Sequence, residues 1–384
     1  MAKRKRIGIP FSYSEKWVAG SYYIKNLIDS LKLLDDRVIP ELCILTWKRK
    51  DFEMIRETGY PYLKYFPFNI PYNIAERSLN KISRIVRGKN SIVKKYSNKQ
   101  FDVVFPYQGN FVISEITNKI YWIPDFQDRY FPEFFSEEEV RDRISYQDKL
   151  ASSENSIIFS SENARNDFRK FYADSKCKLY VLHFASSHPE YNSLDINSLK
   201  QKYNILGGCF ISPNQFWEHK NHWVVLKAIK LLKERNLSFT VVFTGKEQDY
   251  RNPYYFDRLK KFVDENKLND NVRFLGFIDR KEQLKLMSSA LAVIQPSLFE
   301  GWSTVVEDAK EMNQYVILSD IGVHREQLNY NVSFFDPQNE NELADKMIEV
   351  LNGNITRIKK DYKLNVQKFG NDFMKIINEV LKSN

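Results

Sequence analysis

One stretch limits what this chain can fold into more than any other: Gln295-Pro-Ser-Leu-Phe-Glu-Gly-Trp-Ser-Thr-Val-Val-Glu-Asp-Ala-Lys310. The apolar run before it, 290–294, reads as a buried parallel strand. Residues 304–312 read as a helix, with Thr304 and Glu307 at the spacing of a capping box. A buried strand that stops in a tight loop and opens a helix leaves backbone N–H groups and the positive end of a dipole at that loop. This is a ready site for a phosphate. Glu300 lies on the loop and Asp308 in the helix. Carboxylates repel phosphate but accept hydrogen bonds from hydroxyls. The joint reading is a phosphate that carries hydroxylated groups, a sugar nucleotide.

The rest of the chain repeats the alternation of short apolar runs and helical patterns that marks an α/β protein with parallel sheets. Strands are expected at 7–11, 41–46, 103–106, 119–124, 156–159, 178–184, 210–212, 238–244, 272–275, 315–318 and 332–335. Helices are expected at 22–33, 137–151, 223–236, 281–289, 341–351 and 373–381, and Ser161 caps one that runs to Tyr172. The proline- and aromatic-rich residues 61–72 read as a surface loop. Residues 188–206 show little periodicity and read as an interdomain connection. The domain plan is therefore 1–187, the linker 188–206, a second domain 207–366, and a terminal helix within 367–384.

The segment from Phe299 to Lys310, followed by Ser319-Asp-Ile-Gly-Val-His-Arg-Glu-Gln327, resembles the signature of family 4 of the retaining, nucleotide-sugar-dependent glycosyltransferases. The resemblance implies two doubly wound Rossmann-like domains facing across a cleft (GT-B), with the donor in the C-terminal half. The family pattern is Glu, seven residues, Glu; here Asp308 holds the second place and Glu307 stands beside it. By that resemblance Glu300 contacts the donor sugar and Asp308 the ribose, or Glu307 if the helix is rotated by a residue. The Ser303–Thr304 turn holds the pyrophosphate, with Gly301 and Trp302 beside it.

Other segments carry the same resemblance. The loop at 213–222 is similar to the one that supplies a cation to the pyrophosphate, and Lys220 matches that lysine. Asn214 or Gln215 stands where the family often has an arginine. Gly245 ends a strand on the donor side, and Ile278 is placed to meet the nucleotide base through its main chain. The segment that begins Ile123-Pro-Asp-Phe-Gln-Asp faces the cleft in similar proteins, and many of them carry a histidine there. Here Asp125 is the substitute, with Asp128 second. Trp17, Ala19 and Gly20 sit on the first strand-to-helix loop, where a small residue lets backbone approach the acceptor. The implied enzyme is a retaining hexosyltransferase that passes sugar to a carbohydrate or lipid-linked glycan in cell-surface polysaccharide or lipopolysaccharide assembly.

Residues 74–96 read as a basic amphipathic helix or broken pair. Ala75, Leu79, Ile82 and Val86 share one face, and Arg77, Lys81, Arg84 and Arg87 lie opposite. Two readings stand: an anionic membrane surface, or an apolar face packed on the sheet with its basic face in solvent. The second is the expectation.

Composition closes off other classes. The net charge of +9 implies an anionic partner, but no nucleic-acid recognition module is present and the charge is spread along the chain. A basic nucleic-acid binder and a nucleotide-sugar epimerase on the same fold are the competing readings. Three widely spaced cysteines read as free thiols of a reducing compartment. No run approaches the ~18 apolar residues of a membrane span. A cytoplasmic protein is expected, with residues 74–96 offering peripheral contact to the cytoplasmic face of the membrane. The five histidines show no zinc-ligand spacing, so neither a metal nor another cofactor is expected beyond the donor itself.

Overall fold

The structure, a computed structural model, describes residues 4–14 and 18–382. Its first half holds strands β1 (Arg6–Pro10), β2 (Glu41–Thr46), β3 (Leu63–Pro67), β4 (Val103–Val104), β5 (Ile120–Ile123), β6 (Ser156–Phe159) and β7 (Lys178–Val181). Its second half holds β8 (Cys209–Ser212), β9 (Thr240–Phe243), β10 (Val272–Phe274), β11 (Ala292–Gln295), β12 (Val316–Ser319) and β13 (Val332–Phe335). All the pairings are parallel.

In the first half the orders β3-β2-β1-β4 and β5-β6-β7 are joined by a parallel bridge between Val104 and Lys119. The second half has the order β10-β9-β8-β11-β12-β13. In both, the strand order reverses beside the first strand of the half, between β1 and β4 and between β8 and β11. At such a point the loops leaving two neighbouring strands diverge and open a crevice. This gives the chain two crevices, one per half, and places Glu300 beside the second. Each half is thus doubly wound, the GT-B arrangement that the sequence resemblance implies.

Helices cover the sheets as the apolar periodicity requires. The helix Val18–Leu31 buries Leu27, Ile28 and Leu31 in one core with Phe369, Phe373 and Ile377 of the last helix, Lys363–Lys382. Burying each phenylalanine contributes roughly 1.5–3 kcal/mol, so the C-terminal segment is held firmly to the first half. A Cβ on Gly370 would stand 2.7 Å from the carbonyl oxygen of Ser30, so only glycine lets these two helices come this close. The second half has its own core, in which Val225, Ile229 and Leu232 meet Val241, Ile294 and Leu343.

Several expectations are corrected. Residues 63–67 are an edge strand, not loop; Pro67 is tolerated because it ends that strand. The interdomain connection is shorter than the expected 188–206, because Ile196–Lys202 is a helix that packs Leu199 on the core of the second half with Ile205 and Cys209. The last helix starts at Lys363, ten residues before the expected 373. Helices at Arg49–Arg56, Tyr255–Glu265 and Gly322–Gln327 lie in segments left unassigned. The helix Ile74–Arg87 is shorter than 74–96, and its apolar side chains project into solvent instead of onto the sheet.

Candidate active site

The crevice between β8 and β11 is built by two loops. The loop after β8 runs through Asn214 and Gln215 to the short turn Glu218–Lys220. Asn221 then takes a left-handed conformation with φ of 54° and opens the helix His222–Glu234. The loop after β11 runs through Ser297 and Glu300 to the helix Thr304–Glu311. The two meet in one ion pair, Lys220 Nζ to Glu300 Oε1 at 2.6 Å, with both side chains mostly buried. Gln295 Nε2 at 2.8 Å and Ser297 Oγ at 2.7 Å donate to the same carboxylate oxygen. Burial pushes the Glu300 carboxyl up. The Lys220 charge, the nearby His324 and the hydrogen bonds outweigh it and hold Glu300 below the ordinary carboxylate range.

Across the crevice stands Asp125, which follows β5. A Cβ on Gly301 would lie 2.6 Å from the carbonyl oxygen of Pro124 and 3.0 Å from the Cβ of Asp125. The two halves therefore touch at the Glu300–Gly301 turn, and Gly301 is the residue that lets them. Desolvation raises the Asp125 carboxyl, against a hydrogen bond from the Gln127 N–H, with the charge of Glu300 adding to the rise. A carboxyl held up beside one held down is a pair able to divide proton-holding from charge-holding. Lys220, Glu300, Gly301 and Asp125 are thus brought together.

Residues 198–368 match the family described as Glycosyl transferases group 1. The match falls on the second half of the chain. The O-antigen chain mannosyltransferase RfbU of Salmonella typhimurium is 30% identical over 189 residues, which are 48% of this chain and 50% of that protein. The chain thus spans about half the length of this curated relative. Over the whole chain the fold is that of a glycosyltransferase from Rickettsia africae, with a TM-score of 0.64 at 15% identity, covering 100% of this chain and 99% of the other. Anabaena HepE in complex with UDP and glucose aligns with a TM-score of 0.63 at 15% identity, covering 99% and 100%.

Within the second half some expected donor contacts are engaged elsewhere. Ser303, not Thr304, caps the helix: its Oγ accepts from the Val306 N–H at 3.4 Å. The Ser303 N–H is donated to Gln327 Oε1 at 3.0 Å, and Gln327 Nε2 returns a bond to the Ser303 carbonyl. That leaves the N–H groups of Thr304 and Val305, which precede the first intrahelical bonds, as the donors this turn can offer to a ligand. Glu307 points into the core, where Lys310, Gln327 and the Tyr362 hydroxyl take its carboxylate. It does not reach the crevice. Asn214 is likewise turned inward, donating to Gln295 Oε1 at 2.8 Å. Gln215 remains half-buried on the loop. Trp302 lies under the crevice, its Nε1–H on the Phe184 carbonyl at 3.1 Å and its ring stacked on His183 at 4.3 Å. It joins the two halves.

Asp308 is 1% exposed, with Oδ1 3.0 Å from His188 Nε2 and Oδ2 2.7 Å from the Arg280 guanidinium. The half-buried Arg280 guanidinium thus covers the Asp308 carboxylate. His188 and Arg280 escaped the sequence reading: one lies in an aperiodic connection, the other in the first turn of a helix with no motif around it. Gly245 has a φ of 146°, and a Cβ there would meet the Asn214 carbonyl oxygen at 2.2 Å, so its role is to let the two loops pass. Ile278 follows β10 just before the Asp279 cap and is half-buried. Asp128 is buried on Gln147 Nε2 at 3.0 Å, so of the two aspartates Asp125 is the one at the crevice. Among the described residues no cluster of His, Cys, Asp and Glu is placed to hold a metal ion, and no helix is long and apolar enough to cross a membrane.

The crevice between β1 and β4 opens into a cavity of about 300 Å³. Gly20, Phe68 and Trp122 line it together with Ser12, Gln108 and Asn110, and its lining side chains are all uncharged. Trp17 lies outside the described residues. Ala19 and Gly20 lie in the first turn of the helix Val18–Leu31, not on the loop before it, because the helix begins earlier than the expected residue 22.

Proposed function

We propose that this chain transfers a hexosyl group from a nucleoside-diphosphate sugar to a glycan acceptor, with retention of configuration. The Lys220–Glu300 pair carries the reading. It sets a cation for the diphosphate against a carboxylate for the sugar hydroxyls at the strand-order reversal of the second half, facing Asp125 of the first. Negative charge grows on the departing diphosphate as the glycosidic bond breaks. The Lys220 ammonium and the N–H groups of Thr304 and Val305 are positioned to stabilise it, and such fixed groups are usually the largest catalytic contribution. The incoming hydroxyl attacks from the face the diphosphate leaves, and the diphosphate accepts its proton.

The cavity of the first half suits the acceptor. Aromatic walls with neutral hydrogen-bonding groups fit a sugar ring, whose faces are apolar and whose edges are hydroxyls. Such an acceptor, free or lipid-linked, belongs to cell-surface polysaccharide assembly. The similarity to an O-antigen chain mannosyltransferase puts mannosyl donors first in a screen, and the UDP complex of HepE puts uridine nucleotides beside them.

The test is thermal shift with UDP, GDP and ADP and their hexose conjugates, followed by product analysis with and without a glycan acceptor. A response to one nucleoside diphosphate and acceptor-dependent transfer with an unchanged anomer support the reading. Response to none, or turnover of the sugar without an acceptor, removes it.

A further inference from the structure

The helix Ile74–Arg87 carries its polarity the wrong way round for a globular domain. Its buried line is polar. Asn80 exchanges two hydrogen bonds with the Ile92 backbone, at 2.8 and 3.0 Å, and Ser83 Oγ donates to the Lys89 carbonyl at 2.8 Å. Its large apolar side chains face outward instead. Ile74 is 84% exposed, Leu79 54%, Ile82 60%, Ile85 78% and Val86 73%. At about 100° per residue these five fall within a single arc of about 140°. Arg77, Lys81 and Arg84 run along one edge of that arc.

The cations on the helix lack acidic partners; Arg77 Nε and Arg84 Nε donate only to the Tyr72 and Asn80 carbonyls, at 2.9 and 3.4 Å. Lys94 pairs with Glu76 and Lys95 with Glu115. Among the described residues Arg77, Lys81, Arg84, Arg87 and Lys89 have no carboxylate within ion-pair distance. The helix is nonetheless fully built: Asn73 and Glu76 form a reciprocal capping box, and Gly88 closes it in the left-handed conformation. Binding through it has little ordering cost.

An occupant must bury an aliphatic stripe and neutralise a row of cations beside it. A second copy of the same face offers cation against cation, which is repulsive. The boundary between acyl chains and anionic headgroups meets both demands at once. We propose that Ile74–Arg87 docks this chain on an anionic phospholipid surface, with Ile74, Ile82, Ile85 and Val86 inserted and Arg77, Lys81 and Arg84 on the headgroups. Phe68, six residues before Ile74, lines the cavity of the first half. Docking therefore holds that cavity near the bilayer. The inference stands on the helix and does not require the transferase reading.

The experiment is co-sedimentation of the full chain with phosphatidylcholine vesicles, alone or mixed with phosphatidylglycerol. Binding is expected only with phosphatidylglycerol, and it should weaken with salt. Lys81→Ala and Arg84→Ala should each weaken it about fivefold. Ile82→Glu with Ile85→Glu should weaken it by at least about tenfold. Because both isoleucines are exposed, that variant should melt within about 1 °C of the parent. In Ile85→Trp the tryptophan emission should move to the blue when the anionic vesicles are added. Failure to sediment with phosphatidylglycerol, unchanged binding of the double glutamate variant, or no blue shift overturns the proposal. So does a vesicle-independent dimer, seen by size exclusion, that the double glutamate variant dissociates, since a second copy would then be the occupant.

Discussion

His188 holds Asp308 from outside the donor helix: its Nε2 lies 3.0 Å from Asp308 Oδ1, and its Nδ1 lies 2.8 Å from Glu311 Oε2. Both ring nitrogens face carboxylates, so the cationic imidazolium satisfies the site better than the neutral ring. The residue stands at the start of the interdomain connection, and the helix it grips is the one whose N-terminus faces the crevice. The pair thus ties the joint between the halves to the helix that opens at the crevice.

A pH dependence follows. Burial pushes the His188 imidazole down, but the hydrogen bond to Asp308 and the adjacent Glu311 carboxylate outweigh it, and the folded value is raised. A group raised on folding adds stability that is complete below its free value, about 6.5, and is lost as pH rises through the raised folded value. Asp308 is held low by Arg280 and His188 against the opposing effect of burial, so its own contribution fades only below the free aspartate range. His188→Asn should therefore lower the melting temperature most between about pH 4.5 and 6.5, by the equivalent of roughly 3 kcal/mol. The gap from the parent should narrow as pH rises further. Melting curves of the two proteins across pH check this, and a gap that is flat from pH 5 to 10 would count against the imidazolium.

Lys220 and Glu300 should separate in their effects. Lys220→Ala removes the cation aimed at the leaving diphosphate and also leaves a buried Glu300 without its main partner. Turnover should fall about 10²–10³-fold, with a loss of roughly 3 kcal/mol in stability. Glu300→Gln keeps a polar group for Gln295 and Ser297 and removes the buried charge, so stability should hold within about 1 kcal/mol while turnover again falls sharply. Steady-state rates and urea melts on the same preparations decide. Near-parental turnover in both variants would sink the assignment.

How much of this could be read from the chain alone varies by residue, for physical reasons. The strands of the second half are continuous apolar runs because a parallel sheet is covered on both faces, and Glu300 and Lys220 sit on the loops that leave them. Those positions were legible. Orientation was not. The periodicity of 74–87 marks an apolar arc but cannot say which side meets protein; the bonds from Asn80 and Ser83 to the returning backbone decide that. Asn214 stands at a place where similar proteins often have an arginine, whereas Gln295, far along the chain, claims its amide. Ser303 wins the cap from Thr304 because Gln327 fixes the Ser303 peptide from a different helix. In each case a partner distant in sequence settles the side chain, and a local pattern carries no trace of it.

Gly245 makes a prediction about folding. Its φ of 146° is strained for any side chain, and a Cβ would stand 2.2 Å from the Asn214 carbonyl oxygen and 2.8 Å from the Gln215 Cα. Both neighbours are backbone and cannot swing away. Gly245→Ala should destabilise the second half by about 3 kcal/mol or more. Gly353→Ala is the comparison: its φ of 73° is also positive, but near the left-handed region, where a side chain costs less, and nothing lies within 4 Å. Its cost should be only about 1 kcal/mol. Equal losses in chemical denaturation would show that the close approach of the two loops does not matter.

Gly301 makes the matching prediction about function, because its constraint lies between the halves. A Cβ there would meet the Pro124 carbonyl oxygen at 2.6 Å and the Asp125 Cβ and Oδ2 at 3.0 Å each. The nearest obstacle is again backbone, so Gly301→Ala must separate the turn from the Pro124–Asp125 segment by several tenths of an ångström. Each half keeps its own core, and the melting temperature should change little. The groups on either side of the gap lose their register, and displacement of that order commonly costs about 10–100-fold in rate. Under the proposed function the second half reads the nucleoside diphosphate, so its dissociation constant by calorimetry should stay within about threefold of the parent. Asp125→Ala added to Gly301→Ala should not restore turnover, since the Pro124 carbonyl still blocks closure. If the single variant turns over at the parental rate, or the double variant recovers it, contact at Gly301 is not what aligns the two halves.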